Sequence, residues 1–106
     1  MSNDKIEIIT KLTGVTRRNA QEIIKLYGCP DVGYYWLKRE PDNPWDKNAT
    51  IVYTVDHQYL GYLPRAVAAT IAPLMDKGKD FEAVFVKINR APGYETVGLT
   101  VRIVER

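Results

Sequence analysis

The stretch Arg39-Glu40-Pro41-Asp42-Asn43-Pro44-Trp45-Asp46-Lys47-Asn48-Ala49 decides how the rest of the chain is read. Ten of its eleven residues are polar, proline or aromatic, and it separates two runs patterned as strands. Pro41 and Pro44 fix φ and drive Glu40 and Asn43 out of the helical region, which rules out a helix. Asp42, Asn43, Asp46 and Asn48 can each bond local backbone groups and hold tight turns. The expectation is a short, well-defined loop with a large aromatic, Trp45, beside a carboxylate, Asp46. A tryptophan in such a loop is either a plug for the core edge or a surface on which something stacks, and the loop alone leaves both readings open. Asp46 likewise reads as a turn-former bonding backbone amides, as a ligand-facing carboxylate, or as both.

On the N-terminal side, Asp31 to Glu40 reads as a strand with Tyr34 and Trp36 on one face and Tyr35 and Leu37 on the other. Both faces are apolar, so the pattern predicts a central strand with Trp36 in the core. On the C-terminal side, Ala49 to Val55 alternates through Ile51, Tyr53 and Val55, and Asp56-His57 turns the chain into Gln58 to Leu63. Asp56 beside His57 invites an acid–base reading. No nucleophile or second base stands at motif spacing, so a plain turn is the expectation, and the same holds against a hydrolase built on Asp42, Asp46 and His57.

Further out, Lys5 to Val15 reads as a first strand ending at Gly14. Thr16 is placed to cap a helix over Arg17 to Tyr27, with Ala20, Ile23, Ile24 and Tyr27 on its apolar face. Arg17 and Arg18 at a helix start oppose the helix dipole; they are either solvated or arranged for an anion. Pro64 suits the first turn of a second helix over Arg65 to Met75, which Pro73 is expected to kink or break near Ala69 to Ala72. Lys79 to Arg90 and Glu95 to Glu105 then read as two long strands joined by Ala91-Pro92-Gly93-Tyr94, with Val97, Leu99, Val101 and Ile103 inward. The fold class expected is mainly β with two helices: six strands in an OB-like antiparallel barrel or curled sheet.

A chain of 106 residues suits a single domain over residues 1–106 with one modest core. No apolar run is long enough to span a membrane. Met1-Ser2-Asn3-Asp4-Lys5 lacks the regions of a signal peptide, so the cytoplasm is expected. The lone cysteine, Cys29, forms no internal disulfide and suits a reducing compartment. Cys29 and His57 do not make a zinc site without carboxylates, and no glycine-rich phosphate loop is present. Neither a cofactor nor catalysis is therefore expected. The net charge of +2 permits nucleic-acid binding without requiring it.

Leu37 to Ala49, followed by Leu60-Gly61-Tyr62-Leu63-Pro64, closely resembles the HIRAN domain, and Leu12 to Thr16 with Arg18-Asn19 and Gln21-Glu22 fits its N-terminal pattern. The resemblance covers roughly Lys11 to Val104. It implies an OB-type barrel of the strand and helix content read above. The family occurs in fork-remodelling helicase-like translocases and as standalone bacterial or phage-borne proteins, which implies a role in DNA repair or fork processing. It also implies a grip on the 3′ end of single-stranded DNA. By motif match, Trp45 would stack on the terminal base and Asp46 would accept from the free 3′ hydroxyl. Arg65 would contact phosphate, Tyr62 would line the groove with Asn43 of the same motif, and Tyr94 would offer a second stacking surface. Where the family usually has an aromatic this chain has Arg17, which turns a flat surface into a cation for phosphate. With no ATPase motor in this sequence, remodelling would need a helicase or repair protein as partner. The rival reading is a protein–peptide interaction module that uses the Trp45 groove. Convergence of Arg17, Arg18 and Arg65 on Trp45 would favour DNA; their scatter would favour peptide.

Overall fold

Alternating apolar residues make strands only where neighbours can complete the ladder, and this trims each expected strand. The computed structural model describes residues 5–106; Met1 to Asp4, read above for a targeting signal, lie outside the described residues. The elements are β1 (Glu7–Lys11), α1 (Ala20–Tyr27), β2 (Trp36–Arg39), β3 (Thr50–Tyr53), β4 (Tyr59–Tyr62), α2 (Arg65–Asp76), β5 (Phe81–Asn89) and β6 (Gly98–Glu105). Among the described residues, six strands form two three-stranded antiparallel sheets, ordered β1-β6-β5 and β2-β3-β4. Each seam between the sheets is sewn by one residue pair, Thr13 with Tyr62 and Tyr35 with Ala83. Of the barrel and the curled sheet, the latter describes the continuous ladders.

Leu99, Val101 and Ile103 of β6 are fully buried, as their alternation predicts, and they pack with Leu12, Ile24, Val52, Leu60 and Ile71. Tyr35 is fully buried beneath the end of α1, where its hydroxyl donates to the Tyr27 carbonyl at 2.7 Å. Burial pushes that hydroxyl's pKa well above the usual tyrosine value, so it stays a donor.

Three expectations need correction. The first helix starts at Ala20 and not at Arg17, because Arg18 takes a left-handed backbone (φ 54°) that ends any helical path through it. Strand β2 is the end strand of its sheet and not a central one; among the described residues, its side of the fold is bridged to β5 by the single pair Tyr35 with Ala83. Trp36 is consequently half-buried, packed edge-on against Tyr34 with the Arg106 guanidinium 5.6 Å from its ring centre. Helix α2 runs through Pro73 without a break. Pro73 falls in its last turn on the exposed side, and the carbonyl it leaves unbonded belongs to exposed Ala69, which faces water. No helix among the described residues is long and apolar enough to cross a membrane.

Candidate nucleic-acid interface

Loop bracing begins with Asn43, placed by the two prolines so that its side chain points back into the loop. Its Oδ1 accepts from the Trp45 and Asp46 backbone amides at 2.8 and 3.1 Å, and its Nδ2 donates to Glu40 Oε1 at 3.1 Å. Asp46 Oδ1 then accepts from the Asn48 amide at 2.9 Å, so the turn-forming reading of Asp46 is correct for one of its oxygens. The backbone closes the loop through Glu40 N–H to the Ala49 carbonyl (2.9 Å) and Ala49 N–H to the Asp46 carbonyl (3.0 Å).

Arg39 clamps the loop from beneath. Its Nη1 and Nη2 donate to the Ala49 and Lys47 carbonyls, both at 2.9 Å, while Nε and Nη2 reach the two oxygens of Asp76 on α2 at 3.0 and 3.1 Å. These paired donors hold the Asp76 carboxyl below the usual aspartate range; partial burial works against them. Glu40 Oε1 also accepts from the Tyr62 hydroxyl at 2.7 Å. Burial first, and then this bond, raises the Tyr62 pKa, which keeps the hydroxyl protonated and the ring fixed.

Trp45 is 78% exposed on this braced loop, so it does not plug the core. It opens onto a groove of about 320 Å³ lined by Thr13, Gly14, Arg17, Asn43, Asp46 and Arg65, with Ala49, Tyr62 and Leu63 as its floor. Gly61 makes the floor possible. A Cβ there would lie 2.7 Å from the Thr13 carbonyl, so only glycine lets β1 and β4 meet at this seam. Gly14 (φ 65°) has the same role at the rim, where a Cβ would lie 2.6 Å from the Tyr59 hydroxyl. Gln21 ties the rim down by donating to the Val15 and Val97 carbonyls and accepting from the Val97 amide.

Six of the seven residues singled out by sequence (Arg17, Asn43, Trp45, Asp46, Tyr62 and Arg65) thus line one groove. Tyr94 does not. It lies 74% exposed in the loop between β5 and β6. Of the three arginines, Arg17 and Arg65 converge on Trp45, whereas Arg18 turns away and lies 4.4 Å from the centre of the Tyr59 ring. Arg65 is itself engaged with the loop. Its Nη2 donates to the Trp45 carbonyl at 2.7 Å and its Nε lies 3.7 Å from Asp46 Oδ2. The sequence reading missed Arg39 and Glu40 as the braces. A local signal for Glu40 was its position three residues before Asn43; none existed for Arg39 with Asp76.

The fold and this groove define a small, mainly β domain with an exposed tryptophan flanked by two arginines. The chain belongs to the HIRAN domain family, whose sequence model matches residues 10–105, and that family is one of DNA-binding domains. The chain is 50% identical to the helicase-like transcription factor of Oryctolagus cuniculus over 40 residues, 38% of this chain and 4% of that protein. It is 32% identical to the Fanconi-associated nuclease 1 homolog of Arabidopsis thaliana over 73 residues, 68% of this chain and 8% of that protein. It therefore spans less than a tenth of the length of either relative. A crystal structure of a protein from Lactobacillus plantarum superposes with a TM-score of 0.67 at 21% identity, covering 97% of this chain and 100% of that one. The crystal structure of the HIRAN domain of human HLTF gives 0.65 at 20% identity, covering 93% and 74%. At these identities the likeness is one of fold.

Proposed function

We propose that this domain grips the 3′ end of single-stranded DNA without catalysing a reaction. The observation that supports it most is an exposed tryptophan held rigidly by its own loop, with a carboxylate next in the chain and two arginines around it. Base stacking on such a ring is worth roughly 1–3 kcal/mol and accepts any base. Arg17 and Arg65 neutralise the last phosphates. Asp46 repels a backbone running on through the site but welcomes a terminal hydroxyl, which donates to its Oδ2. Tyr94, at the tip of the β5–β6 hairpin, is a further stacking surface in this reading. The relatives are named for a helicase-like protein and a nuclease, so the domain would present a DNA end to a motor or repair enzyme.

The decisive experiment titrates one labelled oligonucleotide carrying either a 3′ hydroxyl or a 3′ phosphate. Two unit charges 4 Å apart repel by roughly 4 kcal/mol at an effective dielectric of about 20. Arg65, 3.7 Å from Asp46, offsets much of that. A residue of about a quarter still favours the hydroxyl end about fivefold. Asp46→Asn should shrink this preference more than it lowers affinity. Equal binding of both ends by the wild type overturns the proposal, and a groove that takes peptide instead would bind neither.

A further inference from the structure

Beside the Trp45 groove lies a second cavity of about 140 Å³, lined by Arg18, Lys38, Ile51, Tyr53, His57 and Tyr59. We propose that it is a subsite for the third nucleotide in from the bound 3′ end, an inference that rests on reading the groove as the end site. The two hollows share one sheet face. Lys38, Ile51 and Tyr62 sit in register across β2, β3 and β4, so the row starts in the cavity and ends in the groove. Its span is two strand spacings, roughly 10 Å. The Tyr59 and Tyr62 rings touch edge to face at 5.8 Å, and the Tyr59 hydroxyl donates to the carbonyl of Gly14 on the groove rim at 2.7 Å. A strand that ends at Asp46 has to leave the groove on its upstream side, and this side is flat, aromatic and basic.

The backbone supports the assignment independently. Among the described residues, the only non-glycine residues with positive φ are Arg18 (54°) and His57 (65°), and both line this cavity. Glycine or asparagine would adopt those angles at lower cost. The chain instead uses them to hold a guanidinium over Tyr59 and to lay the His57 ring on Tyr53, with centroids 5.6 Å apart and planes 18° from parallel. Fully buried Thr54 fixes the turn: its Oγ1 accepts from the Asp56 and Gln58 amides and its carbonyl from His57 N–H. Strain that holds an exposed imidazole and a cation in place is a mark of binding sites. No acidic residue lines the cavity, and Asp56 of the same turn is taken by the Tyr27 hydroxyl at 3.0 Å. Stacked rings with two cations fit a base and its phosphate.

The test uses oligothymidylates of two and four nucleotides with free 3′ hydroxyls. The wild type should bind the longer one at least about fivefold more tightly, the lower end of what one stacked base gives. His57→Gly removes the ring at an angle glycine adopts freely, so the fold is kept. Both His57→Gly and Lys38→Ala should bring the longer oligonucleotide down towards the shorter, whose affinity Trp45→Ala alone should lower. In the wild type, amide signals of Tyr53 and His57 should shift with four nucleotides and not with two. A length gain untouched by both variants, or removed by Tyr94→Ala instead, overturns the subsite. If the gain depends on His57 while the dinucleotide ignores Trp45, the end-site reading fails and the subsite remains. If no oligonucleotide binds the wild type, both fall.

Discussion

Two loops of this domain each present an exposed aromatic, Trp45 between β2 and β3 and Tyr94 between β5 and β6, with nearly equal exposure of 78% and 74%. They differ in what holds them. The Trp45 loop is braced by Asn43, Glu40, Asp46 and Arg39, through bonds that reach α2 and β4. Around Tyr94 the bond is a single backbone turn, Tyr94 N–H to the Ala91 carbonyl at 3.1 Å, and the side-chain ties lie at the hairpin base, at Asn89 with Thr100 and Val97 with Gln21. Equal exposure therefore does not mean equal readiness to bind. A ring already fixed keeps the full stacking energy, whereas a ring on an unbraced tip gives part of it back as ordering entropy.

The largest expected effect exploits that contrast. Trp45→Ala should weaken single-stranded DNA binding by roughly 1–3 kcal/mol, about five- to 150-fold, with the thermal midpoint unchanged. Tyr94→Ala should cost clearly less. If the two losses are equal in a titration with the same oligonucleotide, bracing is irrelevant to the site. Next in size is Asn43→Ala, which leaves Trp45 in place but removes three of its loop's side-chain bonds. Ordering the loaded side chain on binding costs about 0.5–1.5 kcal/mol, so a loss of about two- to twelvefold is expected. Unchanged affinity would show that the remaining braces suffice.

Salt comes third. Arg17 and Arg65 are the cations at the groove; two phosphate contacts give a slope of log K against log salt of about −1.4, or about sevenfold between 50 and 200 mM. A dinucleotide with a 5′ phosphate, which carries two phosphate groups, should show this value. A slope several times steeper for so short a strand would mean that the phosphates are read elsewhere than at the braced loop.

The braced loop was legible in the sequence for a local reason. Pro41, Pro44, Asn43 and Asp46 each act within a few residues, and their chemistry has one outcome. The alternation of β6 was legible for the same reason, since period two is a property of neighbours. What the sequence hid is non-local or rare. Arg39 and Asp76 are 37 residues apart, and no pattern pairs them. The meeting of Arg17 with Arg65 depends on the one-residue seam at Thr13 and Tyr62. The late start of α1 depends on an arginine in a glycine-like conformation at position 18, which composition does not announce. The same outlier turns Arg18 away from Trp45, so of the three arginines whose convergence or scatter the sequence left open, two converge.

The smallest effect tests whether the clamp beneath the loop matters at all. Asp76 has a depressed carboxyl pKa because the Arg39 Nε–H and Nη2–H donate to both of its oxygens. A group whose folded pKa lies below its unfolded value adds stability at every pH above the unfolded value, about 3.9 for aspartate, and loses that contribution as pH falls through the folded value. The pair is present in full at neutral pH and should fade only below about pH 4. Glu105, which is also depressed by its bonds from Lys79 and the Ile6 amide, fades over the same window, so the wild-type curve alone is ambiguous. Asp76→Asn resolves it. The gap in Tm between wild type and this variant should be constant from pH 7 to pH 5 and close below pH 4, while a Glu105→Gln gap closes independently. Because the Asp76 side chain is 54% exposed, added salt should narrow the gap at every pH. Arg39 keeps its bonds to the Ala49 and Lys47 carbonyls when Asp76 is neutral, so DNA affinity should fall little as the clamp is released. A Tm gap that stays constant down to pH 3 would mean that Asp76 acts through something other than its charge on Arg39.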